Sequence, residues 1–198
     1  MNEEKVVYFL HIPKAAGTTL TSILRRQYSD GIHLASSGGP HIWKSRLSEL
    51  NSDEKQRLQL VAGHIRYGQH HLVNRRCTYI SMMREPTRRI ISQFYYIKRH
   101  EGNSLHDWVC DNEFDLSGYV DAISESKWWM AIENRQARRL AGLKPDRKEH
   151  VHELVNLAKE NIKKDFTLVG TTERFDESLL LMKYLLGWER HVFYRKRN

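Results

Sequence analysis

No stretch of this chain is apolar over anything near the ~20 residues that cross a bilayer as a helix, and residues 1–10 lack the pattern of a signal peptide. The chain therefore reads as soluble and cytoplasmic, without a membrane span. A first strand starts almost at once, near Lys5, so either nothing precedes the domain or a leader has been removed. Cysteine is equally scarce. Cys77 and Cys110 are the only two, and no metal-ligand spacing connects them. That excludes a disulfide scaffold and a zinc ribbon and leaves reduced thiols of a cytoplasmic protein. Repeats and low-complexity tracts are missing too, so solenoids and tethers are excluded. Acidic charge is in short supply: 24 Asp and Glu stand against 32 Lys and Arg, for a net charge of +8. Such a surplus implies an anionic partner and leaves nucleotide, polysaccharide, nucleic acid and lipid all open. The 198 residues suffice for one domain, 1–198, with a sizeable core.

Four short apolar runs read as strands: "VVYFLHI" (6–12), "LQLVAGH" (58–64), "CTYISMM" (77–83) and "FTLVGTT" (166–172). Helical patterns separate and follow them. "GTTLTSILRRQY" places Leu20, Ile23, Leu24 and Tyr28 on one face. "EPTRRIISQFYYIKRH" opens with Pro86 in a first turn and aligns Ile90, Ile91, Phe94 and Ile97, with Arg88 and Arg89 on the solvated side. Two further amphipathic helices lie at "EHVHELVNLAKENIKK" and "DESLLLMKYLLG", the second closed by Gly187. Strands this apolar, alternating with helices, are buried on both faces. The expected fold is α/β: a three-layer, P-loop-like arrangement with a central parallel sheet of four to five strands flanked by helices. Residues 28–57 are less regular, and "ASSGGPH" (35–41) reads as a lid or a surface loop.

In sheets of this kind ligands bind beyond the carboxyl ends of the strands. Reactive residues collect there: Pro13 to Thr19 after the first strand, His64 and Arg66 after the second, Arg84 after the third, and Thr171 to Arg174 after the fourth. Gly17 lets a backbone approach an anion closely, and the helix that follows offers free N–H groups and a positive dipole end. Thr18 and Thr19 add hydroxyl donors, and Lys14 a mobile point charge. A plain strand-to-helix turn with capping threonines fits the same residues. Triphosphatase loops place the lysine after the glycine, whereas here it comes before. Arg84 can clamp a phosphate with two parallel bonds, and Ser92, eight positions on, can reach the same oxygens.

Together, "PKAAGTT" and the Arg84/Ser92 pair resemble the PAPS-dependent sulfotransferases, and "FLHIPKAAGTTL" resembles their carbohydrate branch, which includes the heparan sulfate 2-O-sulfotransferases. "VAGHIRYG", "ENRQARRLAG" and "LVGTTERFDESLLLMKYLLGW" resemble later segments of that branch. The resemblance implies a loop of Lys14, Ala15, Ala16, Gly17, Thr18 and Thr19 around the 5′-phosphosulfate, and Arg84 with Ser92 on the 3′-phosphate. It implies His64 as the base that takes the acceptor proton, Lys14 as the catalytic cation, and Arg66, Asn134 and Arg138 beside the acceptor. PAPS would be the donor and PAP the product, with no metal required. The acceptor would be a hydroxyl of a carbohydrate or related molecule. Relatives continue past "HVFYRKRN", so the chain reads as a truncated or minimal member.

Two other classes fit less well. A nucleic-acid or polyanion surface would concentrate its cations on one element, and here they are scattered. A P-loop kinase would need an acidic metal ligand at the strand end where Arg84 stands. A catalytically inactive PAP- or PAPS-binding domain, or a polyanion-binding one, stays open as the alternative.

Overall fold

A computed structural model describes residues 5–36, 40–143 and 150–195. In chain order its elements are β1 (Val6–Leu10), α1 (Gly17–Gln27), β2 (Ile32–Ser36), α2 (Pro40–Glu49), α3 (Ser52–Arg57), β3 (Leu58–Gly63) and β4 (Cys77–Met83). Then follow α4 (Pro86–Arg99), α5 (His106–Asp111), α6 (Leu116–Glu125), α7 (Arg135–Ala141), α8 (Val151–Asp165), β5 (Phe166–Thr171) and α9 (Phe175–Leu185). The five strands form one sheet, ordered β2-β3-β1-β4-β5, and all four pairings are parallel. The expected parallel sheet flanked by helices is therefore present, with five strands.

Burial explains the order. Val6 through Leu10 are at most 3% exposed, so β1 sits at the centre with neighbours on both edges. α1 buries Leu20, Ile23 and Leu24, the i, i+3, i+4 set expected of one helix face. A second apolar cluster gathers Phe94 and Ile97 of α4 with Leu105, Val109, Tyr119, Ile123 and Ile132, and its Ile97 and Leu105 line the smaller of the two clefts described below.

The strand the sequence did not announce is β2. It lies at the sheet edge, with His33 exposed and Ile32 and Leu34 only half-buried, so it lacks the apolar run by which central strands betray themselves. Of the segment read as a lid or loop, residues 37–39 lie outside the described residues. Arg89 is a correction. It is 2% exposed, and its guanidinium donates to Gln93 Oε1 and to the carbonyls of Ala131 and Ile132. Ile90 and Ile91, by contrast, are only half-buried.

The order also fixes where a ligand can enter. The connection leaving β1 runs toward β2, and that leaving β4 runs toward β5, on the opposite side. The chain thus parts between β1 and β4, opening a crevice at their carboxyl ends. The register aligns Leu10 with Gly63 on one side and Ser81 on the other, so β1 and β3 end level while β4 runs two residues further, to Met83.

Candidate active site

The loop after β1 is held in an uncommon backbone conformation. Lys14 and Ala16 both adopt positive φ, 69° and 54°, which side chains other than glycine's resist. Left-handed residues in such a turn direct successive amides toward one point, a form suited to anions. Ala16 caps α1 without a side-chain hydrogen bond, and the first turn of α1 carries no acidic residue. The opening amides of α1 are thus left to a ligand, with the positive helix end behind them. Gly17 is required for a steric reason: a Cβ there would lie 1.8 Å from the His11 ring. Ala15 departs from expectation. Its side chain is fully buried and its amide donates to the Ile12 carbonyl, so it shapes the turn and does not face the cleft.

Arg84 emerges from the end of β4 across the crevice, and Nη1 donates to the Lys14 carbonyl at 3.2 Å. Its own backbone is gripped by Gln136 of α7, which accepts from the Arg84 amide at 3.0 Å and donates to its carbonyl at 2.8 Å. Lys14, Ala16, Gly17, Thr18, Thr19, Arg84 and Ser92 line one cleft of about 1210 Å³. Tyr96, Arg99 and His100, on the same face of α4 as Ser92, line it too, and so do His11 and the 193–195 segment. Sequence reasoning passed over Tyr96 and Arg99. The i, i+4 relation of Tyr96 to Ser92 was the available signal.

A second cleft, about 460 Å³, opens on the other side of Lys14. His64, Arg66 and Arg138 line it, joined by Arg135, Arg139 and Trp128, which the sequence had not assigned. Asn134 does not line it. It is exposed, with positive φ, at the start of α7. The His64 ring stands 4.7 Å from that of His11, and the His64 carbonyl accepts from Arg139. Arg138 stacks its guanidinium on Trp129, 4.3 Å from the ring centroid, and donates to the Glu133 carbonyl. Neither Glu173 nor Arg174 pairs with the other. Glu173 accepts from the Glu85 amide, and Arg174 pairs with Glu177.

No carboxylate lines either cleft among the described residues. Burial therefore acts on several of the lining cations without an acidic lining residue to offset it. Burial, and then Arg99 and Arg84, push the Lys14 ammonium down from its ordinary value. Burial, and then Arg135 and Arg66, bring Arg139 down to about 10. His11 is lowered most among the strand-end groups, to about 3, by burial first and then by His64, Arg139, Lys14 and Arg135. It is neutral at any physiological pH. Among the described residues no group of three or more His, Cys, Asp or Glu stands together in a form that holds a metal, and no helix is long and apolar enough to cross a membrane.

An uncapped helix end, a lysine loop and an arginine thus bracket one crevice, an arrangement chemically suited to phosphate groups. A family model described as galactose-3-O-sulfotransferase matches residues 2–198, and the chain belongs to that family. No curated protein matches the sequence. Among solved structures, mouse sulfotransferase SULT7A1 complexed with PAP is similar at 16% identity and a TM-score of 0.49, over 96% of this chain and 60% of that one.

Proposed function

We propose that the protein is a PAPS-dependent sulfotransferase that sulfates a hydroxyl of a carbohydrate bearing negative charge. The observation that carries this reading is the meeting of two clefts at Lys14, one lined by the start of α1, Arg84 and Ser92 and one lined by His64 and arginines. On this reading residues 1–198 act as one sulfotransferase domain. The donor fits the residues present: the α1 end has no acidic side chain of its own, and no carboxylate faces the cleft. When bound, PAPS supplies the sulfuryl group, whose bond to the 5′-phosphate oxygen breaks as the acceptor oxygen bonds to sulfur.

The chain's own residues position and neutralise charge. Amides of Gly17 to Thr19 hold the 5′-phosphate, with the threonine hydroxyls beside them. Arg84 and Ser92 hold the 3′-phosphate. Lys14 stabilises negative charge growing on the leaving oxygen. His64 takes the acceptor proton, a task suited to an imidazole near neutral pH. His11, neutral and packed against it, keeps the imidazole in place without adding a competing charge. In the second cleft Arg66 and Arg138 face the acceptor together with Arg135 and Arg139, and a sulfate or carboxylate on the sugar supplies a charge that the guanidiniums can bind.

Calorimetric titration with PAP, ATP and 5′-AMP at two salt concentrations tests the donor site. Selective binding that needs the 3′-phosphate is expected. Equal, weak, salt-sensitive binding of all three would leave only a basic surface. His64→Ala should then abolish transfer while sparing PAP affinity, and Arg84→Ala should weaken PAP binding first. Wild-type turnover in His64→Ala would remove His64 from the mechanism.

A further inference from the structure

Lys14 and Tyr96 are the two described residues that line both clefts, and they touch. Lys14 Nζ lies 3.8 Å from the centroid of the Tyr96 ring, within range of the ring's negative face. Tyr96 is itself firmly held. It sits one turn beyond Ser92 on α4, its ring stacks with that of His100 at 3.9 Å, and its carbonyl accepts from His100 Nδ1 at 2.9 Å. The charged and titratable groups around Lys14 are Arg84 just after β4, Arg99 at the end of α4 and His100 just past it, and His11 and His64 just past the ends of β1 and β3. None of these is an anion.

We propose that Tyr96 is a positioning residue whose ring face holds the Lys14 ammonium at the junction of the two clefts until a donor phosphate takes it over. This rests on the sulfotransferase reading above. The chemistry favours a ring over a carboxylate at this point. A carboxylate would bind the lysine firmly and repel the incoming phosphate. An aromatic face attracts the cation without carrying net charge, and it yields to the stronger charge-assisted bond once phosphate arrives. Lys14 is thereby kept from swinging into either cleft, although two neighbouring cationic side chains, Arg99 and Arg84, repel it.

The test is the affinity for PAP, measured by calorimetry from pH 7 to pH 10.5, in the wild type, Tyr96→Phe, Tyr96→Leu, Tyr96→Met and Lys14→Met. Wild-type affinity should fall on the alkaline side as Lys14 loses its proton, and Lys14→Met should lack that fall. The ring favours the charged lysine, so removing it lowers the proton affinity of Lys14 further. Tyr96→Leu should therefore move the alkaline fall down by about half a pH unit, the size expected of one cation–π contact. Tyr96→Phe, which keeps the ring, should restore it. A merely structural role for Tyr96 would weaken binding equally at every pH. The inference is overturned if the Leu and Met variants titrate like the wild type, if Phe shifts as far as Leu, or if Lys14→Met keeps the fall. Thermal unfolding reports whether Tyr96→Leu folds, and Tyr96→Met carries the comparison if it does not. Absence of selective PAP binding in the wild type at any pH is a different result, which removes the sulfotransferase reading itself and this inference with it.

Discussion

At the end of β1 the His11 imidazole is wedged against Phe9, Gly17 and His64, and that packing fixes its charge. Its folded-state value, about 3, lies far below the 6.5 of the unfolded chain. Below the unfolded value the unfolded chain takes up a proton that the folded chain refuses. Stability must therefore fall as the pH drops below about 6.5, with a slope approaching ~1.4 kcal/mol per pH unit, and this contribution ends near the folded value. Urea unfolding of the wild type and His11→Asn across pH 4 to 7 checks it, because the slope in excess of the variant's belongs to His11. If the two slopes coincide, His11 takes up its proton without unfolding the chain. The same packing makes Gly17 intolerant of substitution. In Gly17→Ala the new methyl would occupy the space of the His11 ring, so overpacking should cost about 1–3 kcal/mol, and the loop should lose PAP affinity as well.

Between elements, the contact that matters most is Gln136 of α7 gripping both backbone groups of Arg84 at the end of β4. Gln136 is 7% exposed, so the two hydrogen bonds have no ready replacement in water. Replacing it by leucine should loosen Arg84, with a net cost of about 0.5–1.5 kcal/mol for each bond, or roughly tenfold in PAP affinity if that freedom is felt in binding. ATP and 5′-AMP, which lack the 3′-phosphate, should bind the variant no worse than the wild type. Interactions of this kind also show what was legible in the sequence. The loop, Arg84, Ser92 and His64 could be read because strand ends and helix starts are local patterns, and the parallel register of β1 with β3 and β4 gathers those ends at one edge of the sheet. Gln136 on Arg84, and Arg89 on the carbonyls of Ala131 and Ile132, link positions 52, 42 and 43 apart in the chain. No periodicity encodes such pairs. A charge-based reading therefore assigned Arg89 to solvent, and an edge strand with one exposed face, β2, left no apolar run to find. Asn134 was misplaced for a related reason: residues of α7 reach the cleft, but Asn134 precedes the helix as its cap, in a left-handed conformation, and is exposed to water.

Across the whole molecule, the +8 charge becomes informative only when divided between the two clefts. Scattered cations would draw any polyanion weakly and lose it to salt. Here Lys14, Arg66, Arg135, Arg138 and Arg139 converge on about 460 Å³ without one carboxylate in the lining. Desolvation lowers Arg66, Arg135 and Arg139 from their ordinary values, which is the cost of burying a guanidinium. An acceptor with its own anion relieves that cost, whereas a neutral sugar leaves it standing. Acceptors carrying a carboxylate or sulfate should therefore show KM values well below those of their neutral counterparts, and the gap should narrow as salt rises. Arg66, whose guanidinium makes no hydrogen bond among those described, is the residue to vary. In Arg66→Gln the advantage of the charged acceptor should shrink by about tenfold, the loss of roughly one charge-assisted bond, while PAP affinity stays unchanged because Arg66 lies outside the nucleotide cleft. Equal KM values for charged and neutral acceptors in the wild type would mean that the guanidiniums serve the walls of the cleft, through carbonyls such as those of His64 and Ile65, and not the substrate.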